Sequence, residues 1–398
     1  MIRRSLAPRP LSPRRRCEAR RSFGHRAIVP LLGLLTLGGP AISQDVPGLE
    51  FQGTLDVPTN GGGAAVKIVG DLLLVPLDDL GVEVYDISDL SDPMGLTIAD
   101  TSILGDRAGA VTATADGSRM FVDLVTQPQT AVLDLGTNPP TRLGVFGAHD
   151  FTRDLVLFGD RLVVNAGSTF DFLGGIFIFD AVPDVPEPEG NYLVDLVDPG
   201  FLVTEDGLAL MARTPAGRGT GDGGFEAIDI TGANPVSLGY WETPLPGNVT
   251  GISVSGDRAF VSAYWGGLWT VDISDPANMA YEGGFDFAEP QSYALDVEAV
   301  GDLVYLLQGG PPGFPNQVVA YRVSPTLEFT ELGTIPLGNI PIGIVRGGSK
   351  LAVDELVDLD GDFFYETRRI RLYSVAGPEI FVDGFESGDL TAWSGQGG

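Results

Sequence analysis

The sequence predicts an all-β fold: a β-propeller of seven four-stranded blades whose N-terminal strand completes the last blade. Three observations carry this. Short apolar alternations are bounded throughout by Gly, Asp and Pro, the pattern of strands and turns, and beyond residue 44 no stretch keeps a 3.6-residue period. The 398 residues include 55 Gly and 29 Pro, yet only 19% are charged, so the chain is rich in turns and still able to bury a core. Finally, a Gly-Asp or Asp-Gly pair with apolar alternation on both sides recurs seven times. The pairs are Gly70-Asp71, Asp116-Gly117, Gly159-Asp160, Asp206-Gly207, Gly256-Asp257, Gly301-Asp302 and the variant Gly347-Gly348, spaced 43 to 50 residues apart. That period suits one four-stranded propeller blade; the count is seven, with six or eight also compatible.

A different kind of segment precedes the repeats. Residues 1–26 hold nine Arg and one acid, Glu18, followed by an apolar run from Ala27 to Leu37 and then Ala41-Ile42-Ser43. A basic lead, a short apolar stretch and a small-residue site read as a cleavable export signal over residues 1–43, cut before Gln44. The run is too short and too rich in Gly and Pro to span a membrane. Arg20-Arg21-Ser22-Phe23 resembles the twin-arginine export pattern, and a general secretion signal with a long basic lead fits as well. The mature chain is therefore expected outside the cytoplasm, in the periplasm, at the cell surface or secreted. It retains 15 basic against 52 acidic residues, a net charge of −37, with no Cys and His149 as its single His. That charge argues against nucleic acid and anionic membrane surfaces as partners. Without Cys there is no disulfide and no thiolate zinc site, and one His cannot build a histidine cage.

Residues 249–285 show the repeat most clearly. Val249 to Val254 alternates as an inner strand, Gly256-Asp257 turns the chain, and Ala259 to Ala263 and Leu268 to Ile273 follow as strands. Asp275-Pro276 then leads into a fourth strand near Met279 to Phe285. Two segments, Gly81-Val82-Glu83-Val84-Tyr85-Asp86-Ile87-Ser88 and Gly267-Leu268-Trp269-Thr270-Val271-Asp272-Ile273-Ser274, resemble the signature of the LVIVD-repeat family. Weaker copies end in Asp134, Asp180 and Asp229, while Ala320-Tyr321-Arg322-Val323 and Leu372-Tyr373-Ser374-Val375 lack the Asp. The resemblance covers residues 50–376 and implies a bacterial extracytoplasmic propeller; it implies no reaction. The propeller is assigned to residues 44–376. Phe51 to Pro58 resembles Leu332 to Pro336, a fourth strand, so the N-terminal segment is expected to close the last blade and cover two sheet edges.

The recurrent Asp86, Asp134, Asp180, Asp229 and Asp272 read as Asx-turn residues that accept backbone N–H bonds, in preference to a metal ring. Loops between second and third strands are expected to be long around 165–175, 213–224, 309–316 and 354–366, which marks their rim as the binding side. In the last of these, Asp358, Asp360 and Asp362 around Gly361, with Glu366, form a candidate calcium site, because alternate carboxylates on a bent backbone suit a hard cation. A solvated acidic hairpin tip is the other reading. His149, Tyr264, Trp265 and Phe314 are the candidate ligand-binding residues on the same side. No Gly-x-Ser-x-Gly motif accompanies His149, so no catalytic residue is assigned. Residues 377–398 form a tail in which Phe381-Val382-Asp383-Gly384-Phe385-Glu386 resembles a terminal sorting motif of exported bacterial proteins. The sequence thus points to a monomeric binding or cell-surface interaction module whose partner is a protein, a glycan or an envelope component. The alternative is a calcium-dependent hydrolase or lactonase with carboxylates at the propeller channel.

Overall fold

In the computed structural model, which describes residues 46–376 apart from 60–63, 148–150, 168–172, 196, 206, 216–222, 244–248, 288–291, 312–313 and 359–364, each repeat becomes one four-stranded antiparallel sheet, seven in all. The inner strands of blades 1 to 7 are Lys67–Val69, Ala108–Ala113, Phe151–Phe158, Val197–Glu205, Val249–Ser255, Tyr293–Val300 and Ile340–Gly347. Each contacts the inner strands of both neighbouring blades, and the last contacts the first, so the ring closes around a central channel. The expected closure is present: Leu49–Pro58 pairs with Thr367–Val375 as the outer strand of blade 7. Arg369 reinforces it with a two-pronged ion pair to Asp56, at 2.7 and 2.9 Å.

Alternation puts one apolar face of every strand against each neighbouring blade, and the core is divided accordingly. Seven hydrophobic clusters form, one in each seam between consecutive blades. Trp241 and Trp269, 6.2 Å apart and edge to face, fill the seam of blades 4 and 5. Phe146 and Phe179, at 4.8 Å, do the same between blades 2 and 3. The seam that closes the ring carries a buried ion pair as well. Arg368 Nε donates to both oxygens of Asp354 at 2.8 and 3.0 Å, and the guanidinium also donates to the Pro76 and Ala64 carbonyls of blade 1.

Turn chemistry shapes the lower rim, where first strands turn into second and third into fourth. All seven first turns hold a glycine at positive φ, between 59° and 89° (Gly70, Gly117, Gly159, Gly207, Gly256, Gly301 and Gly348), a conformation that costs other residues strain. In the variant pair it is Gly348 that adopts it. The five recurrent aspartates all accept the backbone N–H two residues on, at 2.8–2.9 Å, so they are turn residues as expected.

Neighbouring blades are joined there by a device the repeat pattern did not disclose. Every outer strand has a register shift near its middle, the bulge that protects an exposed sheet edge. In six of the seven, the first residue paired beyond the shift is glycine: Gly53, Gly144, Gly190, Gly239, Gly283 and Gly333. The third-to-fourth-strand turn of the next blade nests over it, except at Gly333, which faces Val46 of the segment leading into the closing strand. A Cβ at Gly190 would lie 2.1 Å from the Ala233 carbonyl, and one at Gly239 would lie 2.3 Å from that of Pro276. Arginines at the start of second strands hold the same turns: Arg119 donates to the Val182 and Pro183 carbonyls, and Arg161 to those of Ile230, Thr231 and Gly232.

The loop expected around 165–175 is corrected. Arg161–Gly167 and Leu173–Asp180 are paired strands through Gly167 and Gly174, which leaves only 168–172 between them. The glycines read as loop are strand residues, because a Cβ at Gly175 would stand 1.9 Å from the Tyr192 carbonyl of the outer strand. The single-turn helix Thr101–Leu104, capped by Asp100, lies between blades 1 and 2. Among the described residues no helix is long and apolar enough to cross a membrane.

Candidate functional site

The upper rim carries the second-to-third-strand loops and the connections between blades. On blade 5 a tight turn, with the Gly266 N–H on the Ala263 carbonyl at 2.7 Å, places Tyr264 and Trp265 on this rim. Tyr264 stacks on Tyr293, the first residue of the inner strand of blade 6, at 4.3 Å and 10°. Trp265 meets both rings edge to face, at 5.0 and 4.8 Å, and remains 49% exposed. Two hydrogen bonds hold this seam: Ala294 N–H to the Tyr264 carbonyl (3.1 Å) and Thr250 Oγ1 to the Ala294 carbonyl (2.7 Å). The cluster is a preformed aromatic surface on rigid backbone. Trp269, by contrast, is buried and donates from Nε1 to Asp286 at 3.1 Å.

Other predicted residues fall elsewhere. Phe314 is half-buried in the neighbouring loop of blade 6, where its N–H bonds the Pro311 carbonyl. Asp358 and Glu366 flank the hairpin loop of blade 7 just beyond the last strand pair, Val357 with Thr367, so the fold brings these two together. His149, Asp360 and Asp362 lie outside the described residues. Among the described residues no three His, Cys, Asp or Glu side chains are grouped so as to hold a metal ion.

A cluster of charge occupies the channel below the upper rim. Lys67 of blade 1 reaches past blade 2 to Asp154 of blade 3, Nζ to Oδ1 at 2.9 Å. Asp296 of blade 6 accepts the Val297 N–H at 2.9 Å and, from blade 7, the Ile344 N–H at 3.1 Å. It is seated between two glycines: a Cβ at Gly251 would lie 2.3 Å from Oδ1, and one at Gly343 would lie 3.5 Å from Oδ2. Glu298, two residues further along, accepts the Ser253 hydroxyl of blade 5 (3.0 Å) and the Arg346 N–H of blade 7 (3.1 Å). Burial pushes the Asp296 carboxyl up to about 8, and the neighbouring Glu298 and Asp154 charges add to the rise. Glu298 is pushed to about 7, again by burial, against the pull of Arg346. Both groups are partly enclosed, and the bulk solvent that would stabilise their charge is largely displaced.

Asp154 and Asp296 share one repeat position, four residues before the last of the inner strand. Glu298 follows Asp296 on the same strand face, a relation alternation makes readable. Lys67 and Tyr293 gave no sequence signal, because each acts on a residue of another blade. A separate cleft of about 480 Å³ lies between blades 5 and 6 on the lower rim, lined by Arg258, Asp302, Arg322 and Ser324. Its arginines are engaged within the chain, Arg258 by Glu282 (2.8 Å) and Arg322 by Asp302 (3.2 Å).

Residues 246–286, the whole of blade 5, match the LVIVD repeat. The chain carries an LVIVD repeat. That repeat is the blade bearing Tyr264 and the exposed Trp265. No curated protein matches the chain by sequence. Among solved structures, the β-propeller domain of Myceliophteria thermophila Cps50 (Swd1) is similar over 82% of this chain and 100% of its own, at 13% identity and a TM-score of 0.57. A chain of the mitotic checkpoint complex is similar over 82% and 96%, at 12% identity and a TM-score of 0.61. The WD40 repeats of RRP9 align over 80% and 97%, at 12% identity and a TM-score of 0.53. These likenesses bear on the fold.

Proposed function

We propose that this LVIVD-repeat propeller is an exported binding module that holds its partner, a protein or an envelope glycan, on the upper rim at the seam of blades 5 and 6. The observation that carries this reading is Trp265, 49% exposed yet fixed against Tyr264 and Tyr293. A rigid aromatic exposed on a braced turn offers large contact area at little entropic cost, which is how binding hot spots are built. The channel supports binding over hydrolysis, since Asp154, Asp296 and Glu298 are each bonded within the chain. Residues 44–398 should be screened against immobilised glycans and peptides beside the Trp265→Ala variant. A ligand whose affinity falls at least tenfold in the variant, with the melting temperature unchanged, supports the reading; ligands bound equally by both proteins refute it.

The hairpin bearing Asp358, Asp360, Asp362 and Glu366 is proposed as a structural calcium loop. Ligand binding to the native state alone raises the melting temperature by mass action. A rise of several degrees from excess chelator to millimolar calcium, lost in Asp360→Ala and Asp362→Ala, is expected. Identical melts would remove calcium from the account.

A further inference from the structure

Asp296 and Glu298 stand two residues apart on the inner strand of blade 6, so alternation puts both carboxylates on one face of the strand. The groups around them offer hydrogen bonds and little compensating charge. From blade 5 come the Ser253 hydroxyl and the bare backbone of Gly251. Blade 7 contributes the N–H groups of Ile344 and Arg346 and the Arg346 guanidinium, which itself donates to the Gly348 carbonyl at 3.3 Å. Blade 1 contributes Lys67, already held by Asp154 of blade 3. The inner strand of blade 2, Ala108–Ala113, has no charged residue, and that of blade 4 carries Asp198 and Glu205. Within blade 6 the second strand sets Leu307 opposite Asp296 and Tyr305 opposite Glu298. The inner strand of blade 3 carries Arg153 beside Asp154. Among the groups whose bonds tie them to this cluster, Asp154, Asp296 and Glu298 outnumber Lys67 and Arg346.

We propose that Asp296 and Glu298 form a proton-linked switch: they gain protons on mild acidification, and the channel sheds two negative charges. With both ionised, the five groups sum to one negative charge; with both protonated, Asp154 against Lys67 and Arg346 leaves one positive charge. The channel then repels small anions less strongly. Asp296 keeps its bond from blade 7 and Glu298 its bonds from blades 5 and 7, through the acceptor oxygens that a protonated carboxyl retains. The elevation of both groups, to about 8 and about 7, sets the range. This inference rests on the channel alone and is independent of the Trp265 surface.

The sign of the linked stability follows. A carboxyl whose folded pKa lies above its unfolded value favours the native state below the unfolded pKa, near 4, and this stability is lost as pH rises through the folded pKa. The test compares residues 44–398 with Asp296→Asn/Glu298→Gln, an uncharged mimic of the protonated pair, in thermal melts from pH 5 to pH 9. The wild type should melt closest to the variant at pH 5, and the gap should widen as pH rises, to several degrees below the variant at pH 9. A gap that is the same at every pH overturns the proposal. A second measurement needs only the wild type: unfolding in guanidinium at pH 6.5 in weak buffer, with proton release followed by an indicator dye. Two protons from this pair are expected, with up to one more from Asp123, which burial pushes up to about 7. Release of one proton or none overturns the proposal.

Discussion

Gly239→Ala tests whether the blades are held together by turns nested over glycines. The added Cβ would lie 2.3 Å from the Pro276 carbonyl oxygen and 3.2 Å from the Ala277 Cα. Relief to ordinary contact requires a backbone shift of about 1 Å, since a Cβ closer than van der Waals distance to backbone cannot be accommodated by a rotamer change. The turn it strikes resists such a shift. Asp272 accepts the Ser274 N–H at 2.9 Å, and the Asn278 N–H bonds the Asp275 carbonyl at 2.9 Å. Overpacking of this kind costs about 1–3 kcal/mol. Against it stands the reduced freedom of the unfolded chain, worth about 0.4–1 kcal/mol where alanine fits the backbone, as at Gly239, whose φ is not in the left-handed region. The net expectation is a loss of about 1–2 kcal/mol. Two controls separate the causes. Gly338 has ordinary φ and open space, so Gly338→Ala should gain about 0.4–1 kcal/mol. Gly256 also has open space but a φ of 59°, so its alanine variant should lose about 1–2 kcal/mol from strain alone. Urea unfolding followed by far-UV circular dichroism gives the midpoints. If Gly239→Ala unfolds at or above the wild-type midpoint with an unchanged m-value, the nested turn is not a constraint and the argument fails.

Arg368→Leu should cost about 3–5 kcal/mol, because it leaves Asp354 buried without its partner; an unfolding midpoint within error of wild type would contradict this. Arg161→Ala removes donors to three carbonyls of the next blade's turn and should cost roughly 1–2 kcal/mol, less than a buried site because the side chain is partly exposed. Deleting residues 44–58 uncovers the edge of Thr367–Val375 and should give concentration-dependent association in analytical ultracentrifugation. A truncated chain that stays monomeric and equally stable would show that the closing strand is dispensable.

Much of the scaffold was readable because local chemistry determines it. A Gly-Asp pair between apolar alternations has few alternatives to a tight turn, and an Asp before Ser-x-Pro has a backbone N–H waiting two residues on. The closing strand was legible from its likeness to another fourth strand. Contacts that depend on the ring were not. Lys67 and Asp154 are 87 residues apart, and Arg368 meets Pro76 across 292, distances over which no local pattern specifies a partner. Composition also misled at Gly174-Gly175, where glycine allows two strands to approach and does not mark a loop. At the aromatic site the exposure of Trp265 and the burial of Trp269 followed from one lying in a turn and the other in a strand. Tyr293, which gives Trp265 its rigidity, belongs to the next blade and was not found.

The two rims divide the labour of the fold. The lower rim repeats one joint: a glycine just past the register shift in each outer strand but one, a turn seated on it, and at blades 2 and 3 an arginine gripping the carbonyls of that turn. Such a joint constrains both sequence and loop length, because an added atom collides with backbone. At the upper rim, glycines near the start of third strands are pressed against the outer strand of their own blade (Gly81, Gly175, Gly224 and Gly267). The loops between second and third strands nevertheless diverge: a three-residue turn at blade 5, a six-residue loop at blade 6, nine residues at blade 7. Stability is therefore secured on the side where the repeat is kept, and new chemistry can be carried where it is broken. Trp265 shows how the two meet: the blade that matches the LVIVD repeat supplies the strands, and the turn between its second and third strands presents the ring.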